Sequence, residues 1–502
     1  MEQTNGMAQE APARKKRVYR YRWLMRVTLE FTTSFIISAG LEGEIADAVC
    51  VTDANGLPAI PGSSLAGVMR AEYTRSMGRK RADQLFGYQN AQEGAGSLLK
   101  VSWACIHDSD DKPVEGIIPL VTAPPDRKKD PVLAAALSPV IRNHVLINHK
   151  GAADAARSAL FNDEPVCAGH RFTFEMELIG AEAQKKEMDE DWKKLRNIFS
   201  NPTPLRLGGK TRSGYGAFKI VKRVEGVFDF CEEGDFKRYA SVPVSLADLS
   251  NAGLQEAKPD ELELSEDEQK KSEDLVFELK LKPTGYWMFG GGTDLPEAKG
   301  NTDRAPLRDK KITWNEKGKG VISENLAVIP AASIKGALAH RTAFHYNCLK
   351  ERFVPVDSVV LIPACWVGEN NDVVKELFGC SKNDKGGKRG RVVMDDKLLE
   401  KDDESQLIHH NGNDRFSGGV LDKILYDERP FWRGPELILK IRLEDKADVE
   451  EKNYRKAFFR AVEDLACERL QVGAGSGRGN GYFTDENWPK TELENWVNED
   501  QS

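Results

Sequence analysis

The stretch Ile60-Pro61-Gly62-Ser63-Ser64-Leu65-Ala66-Gly67-Val68-Met69-Arg70 decides how this chain reads, because it occurs twice. Its second copy is Ile329-Pro330-Ala331-Ala332-Ser333-Ile334-Lys335-Gly336-Ala337-Leu338-Ala339. The residue before a proline is held in extended geometry, so no helix runs backwards through Ile60 or Ile329. The small and hydroxyl residues that follow are suited to cap a helix start. Apolar residues then recur at three- and four-residue spacing (Leu65, Val68, Met69; Ile334, Ala337, Leu338). Each copy therefore predicts a strand end, a tight turn and a helix N-terminus. That geometry presents backbone N–H groups and a positive dipole end, a setting that suits a phosphate.

Other landmarks recur in the same order. A strand is expected over Trp23 to Ile37 and again over Leu275 to Leu281. Asp47 and Asp303 each stand upstream of the Ile-Pro step, with Asp53 and Asp309 six residues further on. Leu85-Phe86-Gly87 is matched by Leu377-Phe378-Gly379, and Leu160 to Gly169 by Leu425 to Gly434. A helix face at Trp192, Leu195, Ile198 and Phe199 has its counterpart at Phe458, Ala461, Val462 and Leu465. Each of these helices runs into a glycine-rich loop, Leu205 to Phe218 and Leu470 to Phe483. The offsets between Asp47 and Asp303, Ile60 and Ile329, and Gly208 and Gly473 are 256, 269 and 265 residues, the mark of an internal duplication with unequal insertions. The order strand, helix, strands, helix, strand predicts an α+β protein of two tandem ferredoxin-like (RRM-like) domains with inserted hairpins and loops. The divisions expected are a disordered basic tail over 1–20, a first domain over 21–244, an acidic linker over 245–274, a second domain over 275–490 and a tail over 491–502.

At 502 residues the chain exceeds one ordinary core. It has no run of about 18 apolar residues, so no membrane span or membrane partner is expected. Residues Met1 to Ala13 lack the apolar segment of a secretory signal. Eight scattered cysteines without a Cys-x-x-Cys pair read as free thiols in a reducing cytoplasm. The net charge of −7 equals the balance of residues 245–274, where ten acids face three lysines. The remainder sums to zero, which neither supports nor excludes an RNA partner.

Two motifs are decoys. Gly208-Gly209-Lys210-Thr211 resembles the end of a phosphate-binding P-loop, but Pro204 stands where its first glycine belongs. Gly473 to Gly481 fails the dinucleotide-binding spacing at Arg478. What remains is a nearly side-chain-free loop between the last helix and last strand of each half, carrying Lys210, Arg212 and Arg478. It serves either as a flexible connector or as a place where a polyanion backbone comes close, and its recurrence favours the second. Asp47 and Asp303 are turn formers or groups that hold Mg²⁺ on a phosphate oxygen. No histidine stands near either in sequence. His340 with His345, and His409 with His410, lack cysteines at zinc spacing, so zinc is disfavoured.

Taken together, the Asp-x-x-x-x-x-Asp frame, Ile-Pro-Gly-Ser-Ser-Leu-x-Gly-x-x-Arg, Leu-Phe-Gly, the Arg142 to Asn148 segment and the terminal glycine loop resemble the RAMP (repeat-associated mysterious protein) superfamily. Within it the chain resembles two fused copies of the backbone subunit of type III CRISPR–Cas effector complexes, as in type III-D and III-E-like fusions. The resemblance covers nearly the whole chain, twice. It implies a prokaryotic cytoplasmic protein whose domains stack along a guide crRNA, pair it with a single-stranded target RNA and contact other CRISPR effector subunits. It further implies endonuclease cleavage of the target, dependent on Mg²⁺ or Mn²⁺, at Asp47 and Asp303. Guide contacts are implied for Ser63, Ser64, Arg70, Ser333 and Lys335, and for Gly208, Gly209, Lys210, Arg212, Gly475, Gly477 and Arg478. Arg142, His144 and Arg415 match the segment that the family uses near the RNA. In the second copy Ala331-Ala332 replaces Gly-Ser, and Ala339 replaces Arg70. The loop from Asp303 to Ile329 is also longer than that from Asp47 to Ile60, so Asp303 is open to a different placement. The chemistry implied is attack of a ribose 2′-hydroxyl on the adjacent phosphate at a flipped-out nucleotide. Two alternatives remain: a non-catalytic RNA-binding scaffold, and a guide-precursor processing endoribonuclease.

Overall fold

The computed structural model describes residues 19–40, 46–90, 93–117, 129–154, 160–199, 205–257, 274–292, 302–354, 362–381, 387–400 and 405–499. Two mixed α+β halves follow one another. The first contains β1 (Tyr21–Phe31), α1 (Gly62–Met77), β2 (Leu99–Val101), β3 (Arg171–Gly180), α2 (Lys185–Ile198) and β4 (Phe218–Asp229). The second contains β5 (Leu275–Pro283), α3 (Ala331–Leu349), β6 (Val392–Met394), β7 (Leu437–Leu443), α4 (Lys452–Ala466) and β8 (Phe483–Thr484). The sheets run β4-β1-β3-β2 and β8-β5-β7-β6, every neighbour antiparallel. Each half thus lays its four strands in the order fourth, first, third, second.

The apolar alternation of β3 puts Phe172, Phe174, Met176 and Leu178 in the first core, all 0% exposed. They meet Val27 and Leu29 of β1, Leu65, Met69 and Tyr73 of α1, and Trp192 and Leu195 of α2. The second core repeats the plan with Phe277 and Leu279 of β5, Ile334 and Leu338 of α3, and Phe458, Ala461 and Leu465 of α4. Truncating one such aromatic to alanine costs about 3–5 kcal/mol in a packed core.

Four expectations are corrected. Ser63 and Ser64 do not cap α1: both repeat helices begin after proline, at Pro61 and Pro330, with no side-chain cap bond. In the second copy a carboxylate supplies what the motif lacks, since Asp396 Oδ1 accepts from Ala331 N at 2.9 Å. The acidic linker is shorter than 245–274. Leu246 is buried, Gln255–Glu256 adds an edge strand to β4, and the buried Arg26 donates to Ser245 O at 3.3 Å. The C-terminal tail is also shorter than 491–502, because Lys490–Asn498 is a helix that buries Leu493, Trp496 and Val497 against the second core. Those three residues sit at helical spacing, a signal passed over in the sequence. At the other end Arg20 belongs to the fold, bonded to Asp229 at 2.6 Å, while 1–18 lies outside the described residues.

The extra length between Asp303 and Ile329 is a β-hairpin, Arg308–Trp314 with Gly320–Ile329, that reaches the first half. Ile312 N donates to Ala168 O at 2.9 Å and Trp314 Nε1 to Gly169 O at 2.8 Å. Gly169 has φ +93° and a Cβ there would lie 1.9 Å from Ile312 O, so only glycine lets the strand approach. Ile312 then packs with Val132, Ala135 and Cys167. Among the described residues no helix is long and apolar enough to cross a membrane.

Candidate functional site

In the first half a hairpin, Arg142–Val145 with Leu160–Asp163, rises beside the loop that carries Asp47. Asp47 Oδ2 accepts from Asn162 N at 2.8 Å, and Asp47 N donates to Asn162 Oδ1 at 2.9 Å. Ala48 pairs with Asp163 as a parallel bridge, which fixes the loop on the hairpin base. Asp163, 0% exposed, accepts from His144 Nε2 at 3.1 Å, Tyr215 OH at 3.2 Å and Lys210 Nζ. Burial alone would push its carboxyl up, but the bonds from His144 and Lys210 outweigh it and hold the group below the usual range. The His144 ring stacks on Phe161 at 4.9 Å, and Lys210 Nζ lies 4.6 Å from the same ring.

The second half builds the same arrangement from different residues. Its hairpin is Ile408–Asn413 with Val420–Glu428. Asp303 Oδ2 accepts from Asp427 N at 2.9 Å, and Arg304 pairs with Glu428 in the parallel bridge. Glu428, 1% exposed, accepts from Arg478 Nη2 at 2.5 Å. His410 Nε2 lies 2.8 Å from Glu428 but is not aligned for a hydrogen bond. Its ring stacks on Tyr426 at 4.8 Å. Asp47 and Asp303 therefore occupy one frame, and both are exposed at the surface. The longer second loop does not displace Asp303, because its extra residues leave after the frame. Asp53 and Asp309 do not share a role: Asp53 closes a turn by accepting from Asn55 N at 2.7 Å, and Asp309 is buried between the halves.

The glycine loops are built alike at their base. Gly208 and Gly473 have φ +91° and +90°, and a Cβ on either would lie 2.2 or 2.4 Å from Ile36 O or Met288 O. The next residue donates to that same carbonyl, Gly209 N to Ile36 O at 2.8 Å and Ala474 N to Met288 O at 2.7 Å. Their first task is thus to dock on the segment five residues beyond the opening strand, which ends at Phe31 in one half and Pro283 in the other. The rest of the first loop faces the second half: Gly214 bridges to Asp395, Lys335 Nζ donates to Arg212 O at 3.1 Å, and Arg212 contacts Glu444 at 2.5 Å. The second loop turns through Gly475, Gly477 and Arg478 at the surface.

Arg142 is a correction. It is 2% exposed and donates to Asp309 at 2.5 Å, to Ser34 Oγ at 2.9 Å and to Asp396, so it has no face for RNA. Lys335 is 8% exposed, and burial beside Arg206 pushes its ammonium down to about 8. Both residues join the halves. Ser63 and Ser333 stand exposed on the first turn of α1 and α3, Ser64 is half-buried there, and Arg70 is paired with Asp83. Arg415 is exposed at the tip of the second hairpin, its guanidinium 5.6 Å from the Phe416 ring.

Sequence reasoning missed Phe161, Asp163, Tyr426 and Glu428, weighed His410 only as a zinc ligand, and saw no histidine near Asp47. The signal was present, since the echo of Leu160–Gly169 in Leu425–Gly434 contains all four missed residues at one constant offset. Among the described residues no group of three or more His, Cys, Asp and Glu side chains could hold a metal ion. Asp163 and Glu428 are already neutralised by cations. That leaves one surface carboxylate per half, Asp47 and Asp303, a hard oxygen donor of the kind that Mg²⁺ takes.

The sequence matches the RAMP superfamily over residues 28–219 and 280–484, so the chain belongs to that family, once in each half. RAMP proteins are generally RNA-binding components of CRISPR complexes. No curated protein matches the chain.

Proposed function

We propose that the chain is a guide-RNA-binding backbone subunit of a type III CRISPR effector complex, with a target-RNA endonuclease site in each half. In this reading each half is a ferredoxin-like (RRM-like) domain, which the strand order fourth, first, third, second supports. The observation that carries the proposal is the repeated frame: Asp47 and Asp303 each put a carboxylate oxygen on the matching backbone N–H, of Asn162 and Asp427. The fold keeps this acid at the surface beside a hairpin in both halves, although the residues around it have diverged. A bound Mg²⁺ or Mn²⁺ would stabilise negative charge developing on the phosphate. The aspartate either holds that cation or takes the 2′-hydroxyl proton, and the hairpin bond keeps one of its oxygens oriented while the other faces the RNA.

The scaffold reading is favoured by the same bond, since a carboxylate on a strand N–H is also what a turn-capping aspartate makes. Asp47→Asn and Asp303→Asn separate the two, because asparagine keeps an acceptor for the N–H and loses only the charge. A complementary target is mapped on denaturing gels with guide-loaded complexes, in Mg²⁺ and in EDTA. Loss of one distinct cut per substitution, with guide binding intact, supports two nuclease sites. Unchanged cutting in the double variant makes this subunit a scaffold.

A further inference from the structure

The joint between the halves is written in charge. Four buried or half-buried contacts run from cations of the first half to acids of the second: Arg142 meets Asp309 and Asp396, Arg206 meets Asp395, and Arg212 meets Glu444, while the exposed pair Lys319 with Asp110, at the hairpin turn, runs the other way. Because the chain is a duplication, each half also carries the counterpart of the other's joint surface, turned outward. The strand registers fix the correspondence. Ile408 stands opposite Glu428 as Arg142 stands opposite Asp163, and Val472 N donates to Gly481 O as Leu207 N donates to Gly216 O.

On the outward face of the second half the three cations are gone. Ile408 replaces Arg142, Gln471 replaces Arg206 and Gly477 replaces Arg212. On the outward face of the first half three of the acids are gone. The bridges Ile60 to Ala104 and Ile329 to Lys397 align Ser102 with Asp395 and Trp103 with Asp396, while Ile179 takes the place of Glu444. Trp103 is 52% exposed. The socket that receives Asp396 is narrow, since a Cβ on Gly214 would lie 1.9 Å from its Oδ1. An indole does not enter a space shaped to a carboxylate.

We infer that this joint specifies the order of the two halves and is used once per chain, so that copies of the chain do not stack head to tail. The outward face of the second half, around Ile408 and Gly479, instead takes a domain of a different chain that offers a small uncharged residue where Asp396 stands. A carboxylate there would be buried without its arginine, and Trp103 of a second copy is too large. This holds whether or not either half cuts RNA.

The test restores the code. Trp103→Asp with Ile408→Arg supplies one acid and one cation to the outward faces, and sedimentation velocity of the full chain follows assembly. The wild type and each single variant are expected to stay monomeric at micromolar concentration. The double variant is expected to form head-to-tail oligomers that shorten as salt is raised. Stacking by the wild type overturns the inference, and so does a double variant that folds like the singles yet stays monomeric.

Discussion

The guanidinium of Arg142 and the carboxylate of Asp396 form a buried ion pair across the joint, 2% and 8% exposed, and the same carboxylate accepts the first backbone N–H of α3. The helix start that the sequence offers to a phosphate is thus already occupied by an anion, one that another half of the chain holds in place. Removing the cation leaves Asp309 and Asp396 buried without compensation. Arg142→Ala should lower stability by about 3–5 kcal/mol. Lysine has a single ammonium in place of the fork and cannot reach both acids, so Arg142→Lys should recover only part of it. Thermal unfolding of the three proteins measures this.

The glycine loops make a sharper contrast. Gly208→Ala and Gly473→Ala each place a Cβ against a carbonyl at positive φ, and each should cost several kcal/mol or abolish folding of its half. Gly477 has open space around it, and Gly477→Ala should stay within about 0.5 kcal/mol. Denaturant titration separates the two cases.

His170 is 0% exposed, and neither of its ring nitrogens has a hydrogen-bond partner among the described residues. Burial holds its pKa at about 4, against 6.5 unperturbed, so the folded protein binds fewer protons than the unfolded chain between those values. Stability must then fall as pH drops through that window, by about 2 kcal/mol between pH 7 and pH 5 for this group. In His170→Phe that part of the pH dependence should vanish, as read from midpoints of urea unfolding at the two pH values.

Asp163 and Glu428 hold the hairpin bases without facing the RNA themselves. Asp163→Asn frees Lys210 and His144 from their common acceptor, and should reduce the cut assigned to the first half at least tenfold while the second persists. Glu428→Gln should do the reverse. Guide binding should survive both, as measured by filter retention beside the cleavage gel. Equal effects on both cuts would remove these residues from any local positioning role.

The duplication was legible because glycines, prolines and strand patterns are local: Gly208 and Gly473 answer to a nearby carbonyl, and Phe172 to Leu178 to one sheet face. The fate of each charge was not legible. Arg142 and Arg415 both read as cations near RNA, and only the fold shows that one is spent on two acids brought from far along the chain. The helix Lys490–Asn498 was missed for another reason, since its apolar stripe is short and lies among acids.

The hairpin Arg308–Trp314 with Gly320–Ile329 has a mechanical consequence. It leaves the chain a few residues after Asp303, and its strand carries Asp309 and Ile312, which hold the first half. Asp303 is therefore anchored at both ends of a short tether, to its own hairpin and to the neighbouring half, whereas Asp47 sits on a loop that ends within its own half. Any force that spreads the halves pulls on one aspartate and leaves the other slack, so the two loops are alike in geometry and unequal as springs.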